Sequence, residues 1–175
     1  MKKGKGGLIM VLVVVLIAIG VILIQSNMRK NNLDTSESAK NALANKMSTT
    51  LLLGAVLLEE DEDLGYEDID VKHISSSESA KVWIWDYAKN DKDVIQLALD
   101  GEIIADEIVL SNNPTELTIP ANGLLRMTAL DGKGDGVTYA IRFQINGTCY
   151  LGTLPQSESV DYTLARVDED ELYYY

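Results

Sequence analysis

Residues 94–110 read VIQLALDGEIIADEIVL. Two apolar-rich arms, Val94–Leu99 and residues 102–110, flank the dipeptide Asp100-Gly101. An Asp-Gly pair supplies the positive φ that a tight primed turn needs, so the stretch predicts a β-hairpin.

The same grammar continues on both sides. Toward the C-terminus, Asn112-Asn113-Pro114 breaks the chain before a strand at 115–119, and Ala121-Asn122-Gly123 turns it into another at 124–130. The Gly-rich loop 131–136 precedes a strand at 137–145, the Asn146-Gly147 turn and strands at 148–154 and 161–167. Toward the N-terminus, alternation begins near Asp68, and residues 81–86, KVWIWD, open a strand. Short strands spaced about 8–12 residues apart, with turn signals between them, are the signature of an antiparallel β-sandwich, here of about seven or eight strands. A barrel is the alternative. Trp83 and Trp85 lie two apart and so share one face of their strand, with Val82 and Ile84 on the other. Exposed, the two tryptophans are a candidate interface; buried, they are core.

Over residues 80–145 the chain resembles an Ig-like module widespread in secreted and surface proteins of bacteria and phages. The resemblance is carried by residues 84–104 (IWDYAKNDKDVIQLALDGEII), then by EIVL at 107–110, LTIP at 117–120 and RMTAL at 126–130. The usual ending of that module is replaced here by Ala129-Leu130-Asp131-Gly132-Lys133-Gly134-Asp135-Gly136. The resemblance implies an accessory β-sandwich of envelope or adhesive proteins and brings no catalytic residues with it.

Residues 8–24 read LIMVLVVVLIAIGVILI, seventeen residues without a charged or polar side chain. A helix rising about 1.5 Å per residue, with Gly6 and Gly7 added, spans the ~30 Å apolar core of a bilayer. This predicts a retained transmembrane helix, with Leu8, Val11, Val15, Ile19 and Ile24 as anchor residues. No small-residue cleavage pattern follows the run, as a signal peptide requires. The start, Met1-Lys2-Lys3-Gly4-Lys5-Gly6 before an apolar helix, also resembles type IV pilin leaders, but Val11 or Leu12 stands where that family carries glutamate. Lys2, Lys3 and Lys5 precede the run and Arg29 and Lys30 follow it closely; the positive-inside rule then places the N-terminus inside and the C-terminal domain outside. All 27 acidic residues lie from Asp34 onward, with only ten of the fifteen basic ones, a net of −17 for that part. A surface so acidic repels nucleic acid, and its partners are expected to be a lipid bilayer and protein neighbours.

Between anchor and sandwich, Asp34-Thr35-Ser36-Glu37 forms a capping box with Thr35 or Ser36 available as the cap. Ala39, Ala42, Leu43, Met47, Thr50 and Gly54 then recur at helical spacing. The apolar run 51–58 reads as the buried end of that juxtamembrane helix or as a buried strand. Five acids at 59–63 oppose a helix C-terminus and read as a solvated linker. The expected divisions are 1–30 for tip and anchor, 31–67 for helix and linker, 68–167 for the sandwich and 168–175 for an acidic tail. That tail ends in Tyr173, Tyr174 and Tyr175, candidate interface residues.

Little in the chain suggests catalysis. His73 is the single histidine, and its neighbours Ser75, Ser76 and Ser77 lack a G-x-S-x-G elbow. Cys149, the single cysteine, cannot form an intramolecular disulfide and is expected in a strand interior. No cofactor is expected. The loop at 131–136 opens like a calcium loop, but Lys133 and Arg142 occupy positions where an EF-hand needs acid ligands. An inter-strand calcium site drawing on Asp91, Asp93, Asp131 or Asp135 is the alternative to ordinary turn chemistry. The expectation is a non-enzymatic, single-pass membrane protein displaying an Ig-like sandwich for assembly, as a virion membrane–capsid linker or part of an envelope complex. A pilin-like filament subunit and a membrane-anchored adhesion or ligand-binding module are the alternatives.

Overall fold

The computed structural model describes residues 33–60, 62–88, 92–132 and 136–168. The predicted anchor with Leu8, Val11, Val15, Ile19 and Ile24 lies outside them, as do Asp91, Asp135, Tyr173, Tyr174 and Tyr175. Among the described residues no helix is long and apolar enough to cross a membrane.

One helix, α1 (Glu37–Asn45), precedes ten strands: β1 (Met47–Ser48), β2 (Ile69–His73), β3 (Ser79–Trp85), β4 (Val94–Leu99), β5 (Glu102–Val109), β6 (Thr115–Pro120), β7 (Gly123–Asp131), β8 (Val137–Phe143), β9 (Cys149–Leu154) and β10 (Ser159–Arg166). They form two five-stranded sheets, ordered β1-β9-β8-β3-β6 and β2-β10-β7-β4-β5. The strongest local signals produce the hairpins. Asp100 and Gly101 have φ of 51° and 86°, the double positive φ of a type I′ turn, and join β4 to β5. At Asn146-Gly147, Gly147 takes φ 69° and the turn joins β8 to β9. Asn122 sits instead at a crossover, since β6 and β7 lie in different sheets.

The inter-sheet core gathers the inward positions of both sheets: Val82 and Ile84 of β3, Ile95 and Leu97 of β4, Leu125 and Met127 of β7, Ile141 and Phe143 of β8, Val160 and Tyr162 of β10. Phe143, Tyr150 and Tyr162 form an aromatic triangle with centroids 5.4–6.1 Å apart. The Tyr162 hydroxyl donates to that of Tyr139 across 3.2 Å. Burial pushes the Tyr139 phenol up to about 12 and also raises that of Tyr162 well above its ordinary value.

Four expectations need correction. The sheets are not wholly antiparallel, because β2 pairs in parallel with β10 from Ile69↔Tyr162 to His73↔Arg166. The strands among the described residues number ten: β2 and the two-residue β1 lack an apolar run long enough to stand out in sequence. Helix α1 is capped by Ser36, whose Oγ accepts from the Ala39 N–H, but it stops at Asn45. Lys46 turns left-handed with φ 55°, so Met47, Thr50 and Gly54 lie beyond the helix. Residues 51–58 form neither a helix end nor a strand of either sheet; they make a turn and an extended segment whose Val56 pairs in parallel with Leu33.

That segment packs on the first sheet. Ala39, Ala42, Leu51 and Leu57 pack into a second buried cluster with Trp85, Tyr87, Ala88, Ala140, Cys149 and Leu151. Residues 33–58 thus strap the outer face of the first sheet. The acidic stretch that follows is tied down at its end, where the Thr153 hydroxyl donates to the Glu62 carbonyl and the Leu64 N–H donates to Thr153 Oγ1.

Candidate functional site

The two tryptophans define what this face can do. Val82 and Ile84 point into the inter-sheet core, so Trp83 and Trp85 point outward, under the strap. Trp85 is fully buried, and its Nε1–H donates to the Ala55 carbonyl at 3.1 Å. Trp83 is half-buried and donates to Glu116 Oε2 at 2.9 Å. Glu116 also takes a 2.6 Å bond from Lys81 Nζ, and these two donors lower its pKa, Lys81 first. The paired surface platform is therefore absent: the strap occupies the tryptophan face, and Trp85 cannot reach a partner while the strap is in place.

Arg142, which sequence reading treated only as a failed calcium ligand, holds the strap at its other end. Its guanidinium donates to the carbonyls of Leu51 at 2.7 Å, Thr49 at 3.2 Å and Gly147 at 3.2 Å. Further along, the N–H of Leu57 donates to the Tyr87 carbonyl at 2.7 Å, and Leu151 N–H donates to the Lys46 carbonyl at 2.9 Å. Beneath lies Cys149, whose thiol is pushed up to about 12 by burial, with nearby Arg142 pulling the other way. Such a thiol is inert toward oxidants and metals.

Two of the four acidic candidates are among the described residues. Asp93 is buried just before β4, while Asp131 ends β7 exposed and opposite Val94. Asp86, not singled out in sequence, is the buried acid with the clearest role. Its Oδ1 accepts from the Thr138 hydroxyl at 2.9 Å and from the Ala88 N–H at 2.8 Å, fixing the corner after β3. Among the described residues no three His, Cys, Asp or Glu side chains gather as a metal site. His73 is buried and its Nε2 donates to the Ala121 carbonyl at 2.7 Å. Ser77 bonds the Ser79 carbonyl and is exposed. The arrangement around His73 is that of a chain clamp between β2 and the crossover.

The outer face of the second sheet carries polar cross-strand pairs beside exposed apolar side chains on its edge strand. Arg126 grips Asp161 with two 2.7 Å bonds, Thr128 meets Ser159 at 2.8 Å, and Gln96 donates to Asp106 at 2.9 Å. Its edge strand β5 exposes Ile103 by 55% among Glu102, Asp106 and Glu107, and a register shift beside Leu97 bends the β4–β5 ladder. Edge acids and bulges discourage strand addition. The most exposed large apolar side chain among the described residues is Leu52, at the turn of the strap. The signal for it was Gly54, which marks a turn directly after three leucines.

No family model, curated protein or solved structure matches this chain.

Proposed function

We propose that this chain is a non-enzymatic structural subunit, held in a membrane by residues 8–24 and presenting an Ig-like sandwich to protein neighbours. A virion membrane–capsid link or an envelope surface complex is the setting that suits it. The observation that carries the reading is the juxtaposition, in one chain, of seventeen uncharged apolar residues with a strapped β-sandwich that begins nine residues later. Such a run is hard to reconcile with a soluble chain, because it exceeds what one small core absorbs. Two of the domain's buried polar side chains, Asp86 and His73, hold a corner and a crossover, which supports a scaffold rather than a catalyst.

The Ig-like assignment rests on strand order. The row β10-β7-β4-β5 has the adjacency of the G-F-C-C′ sheet of variable-type immunoglobulin domains, and β6 pairs with β3 as E does with B. The departure is the β8–β9 hairpin, inserted between the F- and G-like strands and joined to the opposite sheet.

The test is to express the full chain, extract membranes with alkaline carbonate and float them. Retention in the floated fraction, together with protease access to the sandwich from one side only, is the expected result. Release by carbonate would overturn the anchor. Crosslinking in the native membrane or particle should then capture a neighbour of defined size; a monomer at every crosslinker concentration would remove the assembly role.

A further inference from the structure

Residues 47–58, MSTTLLLGAVLL, carry no charge, in a chain whose net charge is −12. The fold uses their apolar side chains unevenly. Leu51 and Leu57 are buried in the strap cluster, whereas Leu52 and Leu53 are 73% and 43% exposed. The two exposed leucines occupy a tight turn closed by the Ala55 N–H donating to the Leu52 carbonyl at 3.1 Å. Gly54 stands third in that turn with φ 74°, the position where a type II turn calls for glycine. Turn tips that face water carry Asn, Asp, Ser, Gly or Pro, whose side chains or backbones suit it; adjacent leucines do not.

The turn also packs closely on a neighbouring loop. A Cβ on Gly54 would lie 2.7 Å from the Asn112 carbonyl oxygen, so the glycine side is pressed onto the loop before β6 and the leucines face away. Leu33 pairs with Val56, and the Asp34 N–H donates to the Val56 carbonyl at 2.7 Å. The chain therefore enters the domain beside Val56, the residue that follows the turn. Eight residues, 25–32, connect Leu33 to the apolar run, and fully extended they reach at most about 30 Å.

Resting on the membrane-anchor reading above, we propose that the Leu52-Leu53 turn is a second, shallow membrane contact: a pair of leucines that enters the interfacial layer of the bilayer and sets the tilt of the sandwich on it. A lipid surface is the occupant because the covalent tether keeps this turn near one in every copy. It fits also because the stretch is free of the charges whose dehydration would oppose entry.

The test uses the full chain in phosphatidylcholine vesicles, with a nitroxide on Leu52→Cys, on Leu53→Cys or, as reference, on Ile103→Cys. All three positions are exposed and tolerate the change, and buried Cys149 stays unlabelled at neutral pH. Collision with oxygen, which concentrates in lipid, is compared with collision with a water-soluble nickel chelate. An oxygen-to-nickel ratio several-fold higher at 52 and 53 than at 103 supports the contact. Equal ratios in a chain that floats with the vesicles overturn the turn's role and leave the anchor standing. Labels at 52 and 53 shielded from both reagents overturn it in favour of a protein neighbour. A chain that does not float removes the anchor, and this contact with it.

Discussion

The two outer faces of the sandwich start from similar strands and end differently. Strand β10 buries alternate residues, and its outward Asp161 and Thr163 meet water or polar partners. Strand β9, CYLGTL, is buried along its whole length, and so is nearly all of β8. A strand buried on both faces needs a second layer, and here the N-terminal segment 33–58 supplies it. One sheet is finished by its own cross-strand pairs; the other depends on a segment brought from outside it. The contrast says that the strap is part of the domain's folding unit, and that the side on which the chain leaves for residues 1–32 is chemically committed.

The sharpest way to break this contrast is to empty the strapped face. Trp85→Ala removes a fully buried indole and its bond to Ala55, and the expected loss is about 3–5 kcal/mol in urea unfolding. Ile103→Ala, on the edge of the open face, is expected to stay within about 0.5 kcal/mol of the parent. Comparable losses at the two positions would mean that the faces do not differ as described.

Much of this division was legible in residues, and the failures are instructive. The hairpins at Asp100-Gly101 and Asn146-Gly147 were readable because a positive φ is a local demand met by few residue types. The eight strands between Ser79 and Arg166 were readable from apolar alternation for a similar reason. The strap was not. Its contacts pair Leu51 with Arg142 and Leu57 with Tyr87, separations that no local pattern encodes, and its apolar run lacks the period of either helix or strand. Strand β2 escaped because IDVKH mixes charge into a short edge position, where a parallel partner 93 residues away supplies the stability. Of the candidate site, the Trp83–Trp85 pair was found by spacing, but which side of a strand is covered depends on residues 33–58, which local pattern reads as a juxtamembrane helix with a buried apolar end.

A second test separates the strap from the sheet beneath it. Leu57→Ala should cost about 2–3 kcal/mol, since it opens a cavity at the margin of the strap cluster, whereas Leu52→Ala should leave stability within about 0.5 kcal/mol. Cys149 reports the mechanism. Its thiol is pushed up to about 12 by burial, so alkylation of the folded parent is slow at neutral pH and climbs only as pH approaches that value. In Leu57→Ala the climb should begin at lower pH, toward the ordinary thiol range, because water reaches the sulfur. Stability lost without any change in the alkylation profile would show that Leu57 packs there but does not seal the face.

The open face offers the smallest and most specific effect. Arg126 holds Asp161 with two short bonds, and those bonds, ahead of the simple attraction between the charges, lower the Asp161 pKa below its usual 3.8. A carboxylate whose pKa falls on folding stabilises the native state at pH values above the unfolded pKa. That contribution drains away as pH drops through the folded value, because the unfolded chain binds the proton first. Asp161→Asn should therefore lower the melting temperature slightly at neutral pH, and the gap to the parent should close as pH falls below about 3.8. Since Arg126 is largely exposed, added salt should narrow the same gap at neutral pH. A gap that persists unchanged in acid and in salt would mean that the asparagine disturbs packing over β2 and β7 instead, and that even this water-facing sheet is finished by shape rather than by charge.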